Sequence, residues 1–185
     1  MKNYKIKSHA KLNLSLNVIK KVSKNFHKIE SLITFIKLHD LIYIKQIKNS
    51  KHKIKFQGKF SKNIPKKNTI SSLLSLLDKN GLLNKKKYEI KIIKNIPQKS
   101  GMGGGSINAS SIVQFFIKKK IFKLSQKKLI YILKSIGSDV QLGIHHKNIL
   151  ILSNGNLKTF KRNLGLYTLL VKPSFGCSTK VIYSK

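Results

Sequence analysis

The chain of 185 residues carries 39 lysines and arginines against 5 aspartates and glutamates, a formal net charge of +34 at pH 7. With 41% hydrophobic residues it is too apolar for a disordered basic tail, and its length suits one domain and part of another. A single cysteine, Cys177, excludes an internal disulfide framework; no apolar run approaches the ~18 residues that span a bilayer; and Lys11, Asn13 and Asn17 interrupt what would be a signal-peptide core, so a cytoplasmic protein with no membrane contact is expected.

In chain order, residues 4–19 alternate apolar and polar and predict one strand or two. Residues 32–36 and 41–47 are short isoleucine-rich runs and read as two further strands, and 53–60 as a half-exposed one. Asn68 offers a helix cap ahead of Ile70, Leu73, Leu74 and Leu77, with Gly81 closing the helix. Residues 88–94 alternate as a strand. Four of the 11 glycines then fall in 101–105, followed by a helix expected over 107–119. Ser125 caps another helix through Ile136, ended by Gly137. Asn154-Gly155 marks a hairpin between 150–153 and 157–160, and 166–171 reads as a last strand. Interleaved helices and strands, several of them antiparallel, predict an α+β fold.

The charge favours polyanions, but Arg162 is the one arginine. Codons for lysine, asparagine and isoleucine can all be written in A and T, so base bias accounts for the composition without a selected partner. Salt-sensitive adsorption to nucleic acid is expected, and specific recognition is not; a basic nucleic-acid-binding module is the alternative. The scarcity of acids is more useful. Acid–base chemistry that needs a carboxylate must draw on Glu30, Asp40, Asp78, Glu89 or Asp139.

Strand, glycine turn and helix in succession make a natural anion site. Glycines admit backbone conformations that point several N–H groups inward, and the helix start adds its positive dipole end. Ser106 could ligate a magnesium ion or a phosphate oxygen. The stretch is neither a Walker loop, lacking Gly-Lys-Ser/Thr, nor a dinucleotide fingerprint, its glycines being contiguous. A glycine cluster by itself also fits a close-packed turn.

The flanking residues add to this. Pro97-Gln98-Lys99-Ser100-Gly101-Met102-Gly103-Gly104-Gly105-Ser106-Ile107-Asn108-Ala109 resembles the ATP-binding motif of the GHMP kinases. Ala10-Lys11-Leu12-Asn13 resembles their opening strand in the branch acting on cytidine diphosphate-linked methylerythritol. Phe26-His27 is similar to that branch's substrate segment, Gly137-Ser138-Asp139-Val140 to its catalytic aspartate motif, and residues 172–183 to its next substrate segment. The resemblance implies ATP-dependent phosphorylation of a hydroxyl on that small molecule, in non-mevalonate isoprenoid synthesis; other GHMP-kinase acceptors are the alternative. It implies that Pro97, Lys99, Gly101, Met102, Gly103, Gly104, Gly105, Ser106 and Asn108 hold ATP with Mg2+, and that Asp139 takes the hydroxyl proton with Lys11 beside it. It implies that Asn13 and Asp139 position the substrate, that Phe26 and Tyr183 sandwich the cytosine, that His27 reads its edge, and that Thr179 is a minor contact. It also implies an N-terminal domain over 1–165, with a left-handed βαβ crossover, and the beginning of a ferredoxin-like second domain over 166–185, so the chain is expected to be C-terminally truncated. Two residues depart from the pattern. Gln141 stands where proline is common after Asp-Val, and Phe26 where tyrosine is frequent.

Overall fold

A computed structural model describes residues 2–23, 26–145, 147–161 and 165–171. Among these residues, six strands and three helices follow in the order β1 (Asn3–Ser23), β2 (Phe26–Ile47), β3 (Lys53–Gln57), α1 (Thr69–Lys79), β4 (Lys87–Ile93), α2 (Gly104–Lys118), α3 (Gln126–Ile136), β5 (Asn148–Ile151) and β6 (Leu157–Phe160). A 3₁₀ stretch, Ser138–Ile144, separates α3 from β5. The mixed α+β class expected from the sequence is found.

β2 organises the sheet. One edge pairs antiparallel with β1 along its length, while the other pairs with β4 through 41–47 and with β5 through 31–33. β3 pairs parallel with β4, and α1 makes the crossover between them. β5 and β6 form the hairpin around Asn154-Gly155. The helices bury one face of this sheet. Ile42, Ile44, Ile90 and Ile92 meet Leu73, Leu74 and Leu77 of α1, Ile112, Val113 and Phe116 of α2, and Ile132 and Leu133 of α3. Fully burying each such side chain contributes about 1.5–3 kcal/mol.

Residues 32–36 and 41–47, expected as separate strands, are one strand interrupted by a bulge. His9 faces His39 and Lys11 faces Phe35, so Ala10 alone opposes residues 36–38. The bulge reverses the alternation of both strands. On β1, Ser8 and Ala10 point to the helices, and beyond the bulge Lys11 does so too; on β2, Ser31 and Ile33 do so before it, and Asp40, Ile42 and Ile44 after it. The carbonyls it frees are used, since His9 Nδ1 hydrogen-bonds to Ile36 O (2.9 Å) and His39 Nδ1 to Lys37 O (2.7 Å).

Residues 166–171, expected as a strand, have no regular structure, and Tyr167, Leu169 and Val171 lie exposed. A strand needs a neighbour to take its N–H and C=O groups, and this segment pairs with none of the six strands.

Candidate active site

α2 begins three residues earlier than the sequence pattern suggests, at Gly104, because Gly103 serves as its N-cap in the left-handed conformation (φ 68°). A Cβ on Gly103 would stand 3.0 Å from Lys11 Cγ and 3.2 Å from Ile107 Cγ1. On Gly104 it would meet Ile96 Cγ2 and Lys94 Nζ at 3.1 Å. Gly103 is thus demanded by close approach as well as by backbone angle, and Gly104 by close approach. Having no side chain, Gly103 leaves the first turn of α2 without a side-chain cap, and that turn carries no acid. Its N–H groups and dipole therefore remain for an anion.

The turn closes one side of a cavity of about 370 Å³ lined by residues 97–106, Asn108, Lys94 and Asp139. Asn68 and Thr69 at the head of α1 line it as well, so two helix N-termini converge there. The α1 terminus is already capped, with Asn68 Oδ1 accepting from Ile70 N (3.0 Å) and Ser71 N (3.1 Å).

β1 meets the turn directly: Lys11 N donates to Met102 O at 3.1 Å. The Lys11 ammonium donates to Asn13 Oδ1 (2.7 Å), Asn13 Nδ2 to Ser31 Oγ (2.9 Å), and Ser31 Oγ to Ser15 O (2.6 Å). The ammonium also stands 3.6 Å from Asp139 Oδ2. Asp139 sits in the first turn of the 3₁₀ stretch, which is anchored to the core by fully buried Val140. Ser110 Oγ of α2 donates to Val140 O, and Gly143 lies so close to Ser110 that a Cβ there would come within 2.6 Å of its Cβ. Gln141, in the place of proline, does not prevent this turn; packing of Val140 and Gly143 supplies the rigidity that a fixed φ would give.

The structure thus brings Lys11, Asn13, Asp139, Met102 and the glycine turn together. Phe26 and His27 lie in the first residues of β2, paired with Ser23 and Lys21; their side chains, and all of Thr179 and Tyr183, lie outside the described residues. No group of three metal-ligating side chains occurs among the described residues, so any magnesium held by Ser106 would take its other ligands from phosphate and water. No helix among them is long and apolar enough to cross a membrane.

Asp40 and Lys94 were not read from the sequence as part of this region. They form an ion pair buried beneath the turn, with Asp40 0% and Lys94 5% exposed. The available signal was a lone carboxylate inside an otherwise apolar strand pattern.

A strand–glycine turn–helix cradle, with a lysine and an aspartate converging on it from distant parts of the chain, can hold an anion beside a cation and a proton acceptor. Residues 63–152 match the GHMP kinases N terminal domain, which is the family of this part of the chain. The chain is 57% identical over its whole length to 4-diphosphocytidyl-2-C-methyl-D-erythritol kinase of Pelagibacter ubique, and 32% identical over 99% of its length to the enzyme of that name from Fusobacterium nucleatum. It spans 66% and 63% of the lengths of those two proteins. Among solved structures, a 4-(cytidine 5'-diphospho)-2C-methyl-D-erythritol kinase superposes with a TM-score of 0.65 at 19% identity, covering 85% of this chain and 55% of that one, a likeness of fold.

Proposed function

We propose that this chain is the nucleotide-holding part of a kinase that transfers the γ-phosphoryl group of ATP to the 2-hydroxyl of 4-diphosphocytidyl-2-C-methyl-D-erythritol. The carrying observation is that Lys11, packed against Gly103, stands 3.6 Å from Asp139, which lines the cavity of the glycine turn. The 57% identity over the whole chain to a kinase of that name supports the acceptor.

Phosphoryl transfer asks for positioning and charge neutralisation more than covalent help. Residues 101–106 would hold the polyphosphate with backbone N–H groups and the α2 dipole, flanked by Pro97, Lys99 and Asn108. The glycine cradle and Ser106 suit a magnesium–nucleotide, and magnesium would supply charge neutralisation across the phosphates. Asp139 accepts the proton of the acceptor hydroxyl. Lys11, fixed by Asn13, stabilises the negative charge developing on that oxygen. Asn13 has a second role, orienting the acceptor. Phe26 and Tyr183 would stack on the cytosine, His27 would read its edge, and Thr179 would add a polar contact.

The test is an acceptor panel. The chain is incubated with γ-labelled ATP and, separately, 4-diphosphocytidyl-2-C-methyl-D-erythritol, homoserine and mevalonate. Label on the first alone supports the reading. Label on another acceptor alone keeps the phosphoryl transfer and discards the substrate.

A further inference from the structure

Asp40 is fully buried, and both of its oxygens are satisfied by groups belonging to the glycine turn or its supports. Oδ1 accepts from the backbone N–H groups of Asn95 and Ile96, each at 2.8 Å. Oδ2 accepts from the Lys94 ammonium and from Asn108 Nδ2, the latter at 2.8 Å. Asn95 and Ile96 are where the chain leaves β4 and enters the turn, and Asn108 lies on α2 just past it. A single carboxylate therefore ties together the entrance and exit of the turn. Asn95 adds a second tie to the same strand, its Nδ2 donating to His39 O at 3.0 Å. Asp40 faces this way only because the bulge at 36–38 reverses the alternation of β2.

An ion pair taken wholly out of water is poor value for stability alone. Well-packed apolar residues serve as well or better, whereas a carboxylate with four fixed donors gives geometric definition. Lys94 adds to this. Its Nζ sits 3.1 Å from the position a Gly104 Cβ would occupy, beneath the first residue of α2.

We infer that Asp40 is a positioning residue for nucleotide, clamping the two ends of the glycine turn so that its N–H groups are set before ATP arrives. The inference rests on the phosphoryl-transfer reading of the cavity. In Asp40→Asn the amide NH2 would face two donors, Lys94 and Asn108, and that half of the clamp opens. In Asn95→Ala the four contacts of Asp40 remain and only the second tie of the turn's entrance to β2, through His39 O, is lost.

The experiment measures ATP affinity by titration calorimetry, and kcat with the KM of each substrate, for the wild-type chain and both variants, with far-UV circular dichroism as the check of fold. Asp40→Asn is expected to weaken ATP binding and raise its KM about tenfold or more, with kcat at saturating ATP and the acceptor KM within about twofold. Asn95→Ala is expected to shift ATP in the same direction by less, and it decides the matter if Asp40→Asn fails to fold. Unchanged ATP affinity in a folded variant overturns the inference. So does a loss of active protein with no selective change for ATP, the signature of a merely structural carboxylate. A wild-type chain that binds no ATP would instead overturn the reading of the cavity itself.

Discussion

The Lys11 ammonium and the Asp139 carboxylate stand 3.6 Å apart in unlike surroundings, the lysine side chain 8% exposed and the aspartate 44%. The cation is fixed from behind by Asn13, while the acid remains open to the cavity. A pair with one end this exposed contributes at most about 1 kcal/mol to stability. Its loss is therefore expected in activity and not in the fold.

Gly103 and Gly101 separate two effects of adding a methyl group. Both have positive φ, 68° and 71°, so alanine at either costs about 1–2 kcal/mol of backbone strain. Nothing lies within 4 Å of a Gly101 Cβ, but the Gly103 Cβ would press on Lys11 Cγ. Steady-state kinetics should show Gly101→Ala losing about tenfold or less in kcat/KM for ATP, and Gly103→Ala about a hundredfold, part of it in kcat. Equal losses with kcat untouched would mean that Lys11 is not held by the turn.

His145 closes the 3₁₀ stretch that carries Asp139. Burial, and then the charge of Lys147, push its imidazole below the usual histidine range. Its proton is therefore bound more readily in the unfolded chain, so this contribution to stability is present at neutral pH and is lost as pH falls from about 6.5 through the lower folded value. Melting curves of His145→Gln should show a shallower decline over that interval than the wild type. An identical decline would assign the effect elsewhere.

Tyr88 is buried among Phe116 and the helix-facing isoleucines, and its hydroxyl has no hydrogen-bond partner among the described residues. Burial pushes that hydroxyl's pKa up. Removing an unsatisfied buried polar atom while keeping the ring relieves desolvation at no loss of packing. Tyr88→Phe is expected to leave the melting temperature unchanged or to raise it by about 2–4 °C. A fall of several degrees would show that the hydroxyl is bonded.

Much of this was legible in the sequence, for reasons that differ by residue. The helix caps at Asn68 and Ser125 and the Asn154-Gly155 hairpin follow from local chemistry and are found where expected. The glycine turn stood out because contiguous glycines are costly unless the backbone needs them. Lys11 carries no local signal among 38 lysines and was found by its motif alone. The continuity of β2 was missed because His39-Asp40 reads as a polar break between apolar runs. In the structure the bulge turns Asp40 inward, where Lys94, Asn95, Ile96 and Asn108 satisfy it, contacts that no periodicity encodes. Residues 166–171 differ in the opposite sense: strand propensity is present, but the segment pairs with none of the six strands.

If Lys11, the glycine turn and Asp139 form one phosphoryl-transfer site, Asp139→Asn is the decisive variant. The substitution keeps size and removes the carboxylate. Phosphoryl transfer from ATP to 4-diphosphocytidyl-2-C-methyl-D-erythritol should fall by about 10²–10⁴, with ATP affinity within about twofold of wild type. A variant that turns over at the wild-type rate would exclude Asp139 as the proton acceptor.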